Sequence, residues 1–359
     1  MHHYSGVIYA LMAAVLFGAG TPFAKVLLSQ VSPIMLAGLL YAGSGIGLTV
    51  WFVVHLIAAR GSQNTEAASG TLTRTDLPWL AGAIVAGGIA GPILLMVGLA
   101  HTQASAAALL LNMEGVLTAL LAWFVFKENF DRRIFIGMAF IVAAGVLLSW
   151  EQTPTIGVPW GAAAIIAACF CWAIDNNLTR KVSASDAVQI AGTKGLVAGV
   201  VNLTIAFSLG GTLPAFGTIL SASVVGFCSY GLSLVFFVLA LRHLGTARTG
   251  AYFSVAPFAG AVIAVVMLGE HPSIIFWIAT VLMGVGIWLH LSESHSHDHT
   301  HLPLAHAHTH RHDAHHQHEH PFAWDNTAAH SHAHEHLPLT HTHAHYPDIH
   351  HQHVHESKH

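Results

Sequence analysis

The segment 99–128, LAHTQASAAALLLNMEGVLTALLAWFVFKE, decides the fold because the chain contains it twice. The second copy, LRHLGTARTGAYFSVAPFAGAVIAVVMLGE, occupies residues 241–270 and aligns with the first without a gap. Each copy opens with a polar turn that contains a histidine, continues as a long apolar run and closes with a glutamate. An apolar run of about 20 residues has the length of a membrane span. Repeats of whole spans are typical of secondary transporters.

The composition of the chain indicates the same class of protein. Of its 359 residues, 54% are hydrophobic and 8% are charged, whereas a soluble domain has about 25% charged residues. We therefore predict an all-α polytopic membrane protein, in contact with membrane lipid, up to residue 291. The net charge of −4 argues against nucleic acid as a partner. Cys169, Cys171 and Cys228 lie inside apolar runs and are interpreted as packing residues.

Ten apolar segments are each long enough for a tilted helix through a hydrocarbon layer about 30 Å thick. They are residues 5–28, 33–58, 77–100, 104–126, 134–150, 159–179, 187–209, 219–241, 249–268 and 274–291. The first segment lacks a basic start and a small-residue cleavage site, so we interpret it as a retained span. The predicted domains are a first five-helix repeat (5–150), a second five-helix repeat (159–291) and a tail (292–359).

The basic residues predict the orientation of these spans. Lys and Arg occupy the even-numbered gaps, for example Arg132 and Arg133 in the fourth and Arg180 and Lys181 in the sixth, whereas the third, fifth, seventh and ninth gaps contain none. Lys25, at the end of the first span, is the exception. By the positive-inside rule, both termini are cytoplasmic. Since each repeat has five spans, the two halves form an inverted-topology repeat.

The second copy resembles the closing part of an EamA-type domain of the drug/metabolite transporter (DMT) superfamily, and the first copy resembles the same motif more loosely. Phe17-Gly18 before Lys25, and Cys171-Trp172 before Arg180, resemble the starts of that family's domains. The resemblance covers residues 5–291 as two EamA domains. It implies ten helices in a five-plus-five arrangement around a central cavity, and export of small metabolites or drugs. We accordingly expect a multi-pass protein of a cell membrane, the bacterial inner membrane.

Ionisable residues inside a bilayer are costly and usually functional. Glu114 lies near the middle of the fourth span, where the matching copy has the apolar Ala256; Asp175 lies in the sixth span and Lys194 in the seventh. Counting depth along the spans allows Lys194 to pair with either carboxylate. We hypothesise that Glu114 and Lys194 line the central cavity, where one of them carries a proton or contacts the substrate. The alternative is a buried pair that only fixes helix packing.

Other polar and aromatic residues in the spans are further candidates for the transport cavity. They are Asn112, Asn176, Asn177, Trp172 and Tyr252. Interhelical hydrogen bonds, packing and lipid contact are the alternative roles for these residues.

Further predictions concern the prolines inside the spans and the residues at the ends of the repeated segments. Pro22, Pro92 and Pro257 are predicted to interrupt the first, third and ninth spans, which would free backbone groups that must face protein or a water-filled cavity. Glu128 and Glu270 are expected to cap the membrane boundary, and the matching His101 and His243 to have structural roles.

The tail differs from the rest of the chain because it contains most of the 31 histidines. Its segment 301–320 is repeated at 336–355, and its low apolar content predicts disorder. His-x-His spacing suits Zn, Ni, Co or Cu, and binding should weaken as the pH falls through about 6.5. The candidate metal ligands are His306, His308, His310, His315, His316, His318, His320, His341, His343, His345, His350, His351, His353 and His355. A pH-sensitive solvated tail without metal is the alternative.

Two functions follow from these features. The first is a carrier that exports a small-molecule substrate, with the tail as a metal-binding regulator. The second is a divalent metal exporter whose tail collects the ion; the spans argue against it, because they lack paired His/Asp ligands at helical spacing. A metal sensor or storage protein is a weaker third hypothesis. We predict no enzyme activity, no catalytic residue and no required cofactor, and the sequence leaves open whether the chain forms a homodimer.

Overall fold

The structure is a computed structural model that describes residues 2–59, 76–126, 132–151, 159–182, 187–244 and 246–291, together with the tail segments 295–301, 304–310, 330–336 and 339–345. It divides into two units, Met1–Glu293 and Ser294–His359. The helices of the first unit are α1 (His2–Leu27), α2 (Pro33–Ala59), α3 (Leu77–Ala83), α4 (Gly91–Ala100), α5 (Ala104–Leu110), α6 (Met113–Phe126), α7 (Arg132–Glu151), α8 (Trp160–Val182), α9 (Ala187–Ser208), α10 (Phe216–Gly226), α11 (Ser233–Leu244), α12 (Thr246–Phe253), α13 (Ala256–Leu268) and α14 (Ile274–Leu291).

These helices group into ten apolar runs, because four of the runs consist of two helices in succession. Among the described residues, eight runs are long and apolar enough to cross a membrane, and the apolar helices Ala256–Leu268 and Ile274–Leu289 are shorter. Large apolar side chains cover the outside, and Trp160, Phe216 and Val266 are each more than two-thirds exposed. An outer surface of this kind is typical of a protein embedded in a membrane. The predicted all-α polytopic membrane protein is therefore confirmed.

The helices pack in pairs that relate the two halves of the chain. Helix α2 packs along α9 and α7 along α14; α1 packs against α11 and α13, and α8 packs against α4 and α6. In this arrangement α1 of the first half is equivalent to α8 of the second half, and each packs against the third and fourth spans of the opposite half. The α2–α9 and α7–α14 pairs each join one span to its own equivalent in the other half. A two-fold axis between two copies of one five-span unit produces this pattern.

Four interruptions also occur at equivalent positions of the two halves. A π-helical segment, Ile84–Ala90, separates α3 from α4, and another, Phe227–Leu232, separates α10 from α11. Helices α5 and α6 are separated by residues 111–112, and α12 and α13 by residues 254–255. At the offset that aligns residue 99 with residue 241, extended to the π-helical segments that precede the two copies, each pair of interruptions coincides to within one residue. The interruptions therefore belong to the repeated unit.

Prolines account for only part of these interruptions. As predicted, two prolines lie at interruptions: Pro92 is the second residue of α4, just after the first π-helical segment, and Pro257 is the second residue of α13. The prediction for Pro22 is wrong, because α1 continues through it to Leu27. Pro22 has no N–H to donate to the carbonyl of Gly18 one turn earlier. Gly260 of α13 packs so closely against that carbonyl that a side chain there would collide with it, so the neighbouring helix covers the freed group.

The second unit contains four strands in two antiparallel pairs. Strand β1 (His295–His301) pairs with β4 (Leu339–His345), and β2 (Leu304–His310) pairs with β3 (His330–His336). Their sequences alternate with a period of two, which suits paired strands even though the tail has too few apolar residues to bury a core.

Candidate functional site

An ion pair joins α8 to α9 inside the helical unit. Lys194 Nζ lies 2.5 Å from Asp175 Oδ1 and 2.7 Å from Oδ2. The Thr179 hydroxyl, one turn after Asp175, donates to Oδ1 at 2.8 Å and accepts from Lys194 at 3.3 Å. The Asp175 side chain is 9% exposed and that of Lys194 is 18% exposed. Of the two carboxylates that the sequence allowed, Lys194 thus pairs with Asp175.

Glu114 lies directly beyond the interruption between α5 and α6, in the first turn of α6. Asn176 of α8 donates its side-chain amide to Glu114 Oε1 at 2.8 Å and to the Thr118 hydroxyl at 3.5 Å. Glu114 is half-buried and Asn176 is exposed. Because polar groups at mid-span rarely face lipid, this face of α6 and α8 is suited to line a water-filled route.

The cluster contains two carboxyl groups, Glu114 and Asp175, but one cationic side chain, Lys194. The carboxylate of Asp175 is balanced by Lys194, whereas among the described residues no cation bonds to Glu114. Glu114 lies close enough to both Asp175 and Lys194 to interact with them electrostatically. When Glu114 is ionised, the cluster therefore has one uncompensated negative charge.

The first π-helical segment connects this cluster to an aromatic surface. The carbonyl of Gly87 accepts hydrogen bonds from the Tyr41 hydroxyl and from Trp172 Nε1, each at 3.0 Å. The next carbonyl, that of Gly88, accepts from Asn202 at 3.0 Å. A π-helical turn disturbs the regular helical bonding, so its carbonyls need other donors. Spans two, six and seven thus supply the donors for this interruption.

Five aromatic rings run from Tyr41 into the second half of the chain. The centroids of Tyr41 and Tyr230 lie 5.4 Å apart, and those of Tyr230 and Phe17 lie 6.0 Å apart. The series continues from Phe17 to Phe253 at 5.4 Å and from Phe253 to Phe237 at 4.9 Å. All five rings are partly exposed. We call these five residues the aromatic row.

The structure brings together five of the eight residues predicted to line the cavity. Glu114, Asp175, Asn176 and Lys194 form the polar cluster, and Trp172 adjoins it through Gly87. The other three lie elsewhere. Asn112 bonds to Leu109 O at 3.0 Å and Met283 Sδ at 3.6 Å, Asn177 bonds to Ala173 O of its own helix at 2.8 Å, and Tyr252 packs beside Ala10 and Ala240.

Sequence reasoning missed three members of this region, Tyr41, Thr118 and Thr179. Thr179 follows Asp175 by four residues, and this helical spacing could have identified it. Thr118 likewise follows Glu114 by four residues. Nothing in the sequence around Tyr41 distinguishes it from other aromatic residues of the spans, because its partner is a backbone carbonyl of another helix.

Two grooves lie away from the polar cluster. One of about 490 Å³ lies between α1 and α10 and includes Gln30 and Thr218 in its lining. Another of about 380 Å³ is lined by Gly47, Val50, Trp51, Val54 and Phe227. Since neither groove includes Glu114, Asp175 or Lys194, a central cavity around these residues stays a prediction.

The predicted metal ligands divide into two sets. Among the residues whose side chains the structure describes, no group of three His, Cys, Asp or Glu is arranged to hold a metal ion. Six predicted ligands lie in the tail strands, and the register places each opposite another histidine. These pairs are His306–His334, His308–His332, His310–His330, His341–His299, His343–His297 and His345–His295. The predicted ligands His315, His316, His318, His320, His350, His351, His353 and His355 lie outside the described residues, as does Glu128.

A bundle of apolar helices that holds a polar cluster between interrupted spans defines a polytopic membrane transporter. The chain belongs to the EamA-like transporter family, which matches residues 4–150 and 159–292. It is similar to an uncharacterized transporter of Methanothermobacter thermautotrophicus, 28% identical over 302 residues, with 80% of this chain and 87% of the relative covered. It is also similar to the uncharacterized transporter YyaM of Bacillus subtilis, 25% identical over 269 residues, with 72% and 84% covered.

The fold also matches a solved structure titled "Crystal structure of protein", with a TM-score of 0.58 at 16% identity. The match covers 79% of this chain and 95% of that chain. At this identity, the match supports the shared fold alone.

Proposed function

We propose that the protein is a secondary transporter that exports a small metabolite or drug-like molecule by alternating access. The observation that carries this proposal is the polar cluster of Glu114, Asn176, Asp175 and Lys194, held between helices of both halves. Ionisable residues at this depth are costly unless the function uses them. The paired interruptions support the proposal, because they give each half a point at which its helices can bend.

Within the cluster, we assign different roles to the two carboxylates. Asp175 is bound by Lys194 and Thr179, so it holds α8 and α9 in position. Glu114 has a neutral amide as its partner and adjoins an exposed face, so it is the group that exchanges a proton or contacts the substrate. Its uncompensated charge favours a proton or a positively charged group on the substrate.

The aromatic row supports a substrate with a planar or apolar body. Tyr41 lies close enough to Glu114 and Asp175 to interact with them electrostatically, and it also begins the aromatic row. Aromatic faces bind apolar groups and attract cations. A substrate with a cationic group at Glu114 would therefore have its remaining surface beside Tyr41 and Tyr230.

Transport by purified protein in proteoliposomes tests this assignment. We expect uptake of a panel of labelled small molecules to depend on a proton gradient. Glu114→Gln should slow transport about tenfold or more, the factor produced by losing about 1.4 kcal/mol of interaction, and should flatten the pH profile. Glu66→Gln, in the polar segment 60–75, makes the same chemical change as a control. An unchanged rate and pH profile in Glu114→Gln would remove Glu114 from the mechanism.

We further propose that the protein lies in a bacterial inner membrane with both termini in the cytoplasm, and that its tail binds Zn, Ni, Co or Cu as a regulator. The basic residues of the even-numbered gaps support this orientation. The density and His-x-His spacing of the tail histidines support metal binding. We assign no enzymatic role to any residue.

The second candidate function is export of the divalent metal itself. The observation that favours it is the register of the tail strands, which places histidines opposite one another in both ladders. Growth of a deletion strain on a metal panel and a metabolite panel separates the two functions. Metal resistance restored by the full chain but not by a chain lacking residues 292–359 would favour metal export.

A further inference from the structure

The turn 101–103, which joins α4 to α5, is bound by a side chain from the first span. Lys25, in the last turn of α1, donates from Nζ to Leu99 O at 2.6 Å and to Thr102 O at 2.8 Å. A third contact, to Ala100 O, measures 3.3 Å. The last carbonyls of a helix have no partner within that helix. Lys25 therefore supplies a charged donor to the carbonyls where α4 ends.

Glu270 binds the other side of the same turn. Its Oε1 accepts from the backbone N–H of Ala104 at 2.8 Å, and its Oε2 accepts from that of Ser105 at 3.0 Å. These amides open α5 and have no partner within the helix. Glu270 follows Gly269, whose φ of 63° ends α13 in the left-handed region. The carboxylate thus connects the end of the ninth span to the start of the fourth.

The two side chains come from different halves of the chain and act on one turn. Lys25 belongs to the first half and Glu270 to the second, and Glu270 lies close enough to attract the charge of Lys25. Together they connect spans one, three, four and nine at this end of the bundle. Opening a route between the halves here would break the bonds of Glu270 to α5 and separate Glu270 from Lys25, whose own bonds hold the turn to α1 within the first half.

Residues next to the turn are tightly packed. Ser105 and Ala107 are fully buried, although Glu114, about 10 Å further along the run at 1.5 Å per residue, is half-buried and contacts the exposed Asn176. We propose that Lys25 and Glu270 form a clasp that closes this end of the transport route and opens in each cycle. The inference rests on the proposed transport function, since only a carrier must open this end.

Labelling of a buried cysteine tests the clasp independently of transport. The full chain, with its three cysteines replaced by serine and with Ala107→Cys as the reporter, is placed in nanodiscs and treated with a soluble maleimide. Lys25→Gln and Glu270→Gln should each raise the labelling rate about tenfold, because each removes a charge-assisted contact that favours the closed end. Lys25→Arg keeps the charge and the donors and should restore the parent rate.

A matched control lies at the same end of the bundle. The Thr218 hydroxyl of α10 donates to Gln30 at 2.8 Å, outside the clasp. Thr218→Ala should label at the parent rate. Equal labelling of the parent, Lys25→Gln and Glu270→Gln would overturn the clasp even if transport occurs. Faster labelling of both Gln variants in a protein that transports nothing would support the clasp and contradict the proposed function.

Hydrogen exchange gives a second measurement if the Gln variants do not fold. In the parent, the amides of Ala104 and Ser105 should exchange more slowly than the first amides of an uncapped helix, because Glu270 bonds to both. Exchange at the rate of an exposed loop would overturn the clasp without any variant.

Discussion

Three consecutive residues of α8 project to three different partners. Asp175 pairs with Lys194 of α9, Asn176 bonds to Glu114 of α6, and Asn177 bonds to the backbone of its own helix. Successive residues of a helix point about 100° apart, so one short polar run can serve two neighbouring helices. The sequence shows that at least one of the three must avoid lipid, but the position of each neighbour decides which partner each side chain takes.

The Asp175–Lys194 pair should show strong coupling in a double-mutant cycle. Lys194→Met leaves the Asp175 carboxylate buried without its cation, and we expect a loss of about 3 kcal/mol of unfolding free energy. Adding Asp175→Asn removes the stranded charge and should recover part of that loss. Unfolding of the four proteins in detergent measures the coupling. Single-variant losses that simply add in the double variant would contradict an ion pair.

At the scale of the element, the interrupted spans determine where the site forms. Pro92 and Pro257 allow two interruptions to be predicted, but the π-helical segment Phe227–Leu232 contains no proline, and residues 111–112 contain none either. Both could have been predicted from the repeat, because an interruption at a proline in one half indicates an interruption at the equivalent position of the other half. Pro22 shows the limit of proline counting, because packing against Gly260 keeps α1 continuous.

Gly87 is the position where the first π-helical segment meets the ion pair. A Cβ added there would overlap the Asp175 carboxylate. Gly87→Ala should therefore displace Asp175, reduce transport strongly and cost about 1–3 kcal/mol of unfolding free energy, as expected for overpacking. Transport rates in proteoliposomes and unfolding in detergent measure the two effects.

Gly82→Ala, in α3 just before the π-helical segment, is the matched control for this change. A Cβ there meets only the end of the flexible Leu178 side chain, at 3.0 Å. We expect parent-like transport and stability. Equal effects of the two substitutions would show that general helix packing, and not contact with Asp175, explains the loss.

At the scale of the whole molecule, much of the fold follows from the sequence. Long apolar runs, a gap-free internal repeat and short loops predict ten runs in two related halves. The aromatic row and the bonds to the Gly87 carbonyl join residues from separate spans, so no local pattern reveals them. In the tail, the low apolar content predicts disorder, and the period of two in its histidine-rich segments is compatible with paired strands.

The tail makes a prediction that depends on pH. Imidazole must be neutral to bind a metal, and it ordinarily becomes protonated near pH 6.5. The full chain in detergent should bind several Zn²⁺ ions at pH 7.5 and bind them much more weakly at pH 5.5. A chain ending at Leu291 should lose this binding. Calorimetric titration measures both, and equal binding by the two chains would contradict a metal site in the tail.

The central claim is that one five-span unit occurs twice with opposite orientation in the membrane, and reporter fusions test it most directly. Reporters that are active on only one side of the membrane are placed before residue 2, within residues 152–158 and after Leu291. The account predicts that the first and last reporters lie on one side and the middle reporter on the other. A middle reporter on the same side as either end would contradict it.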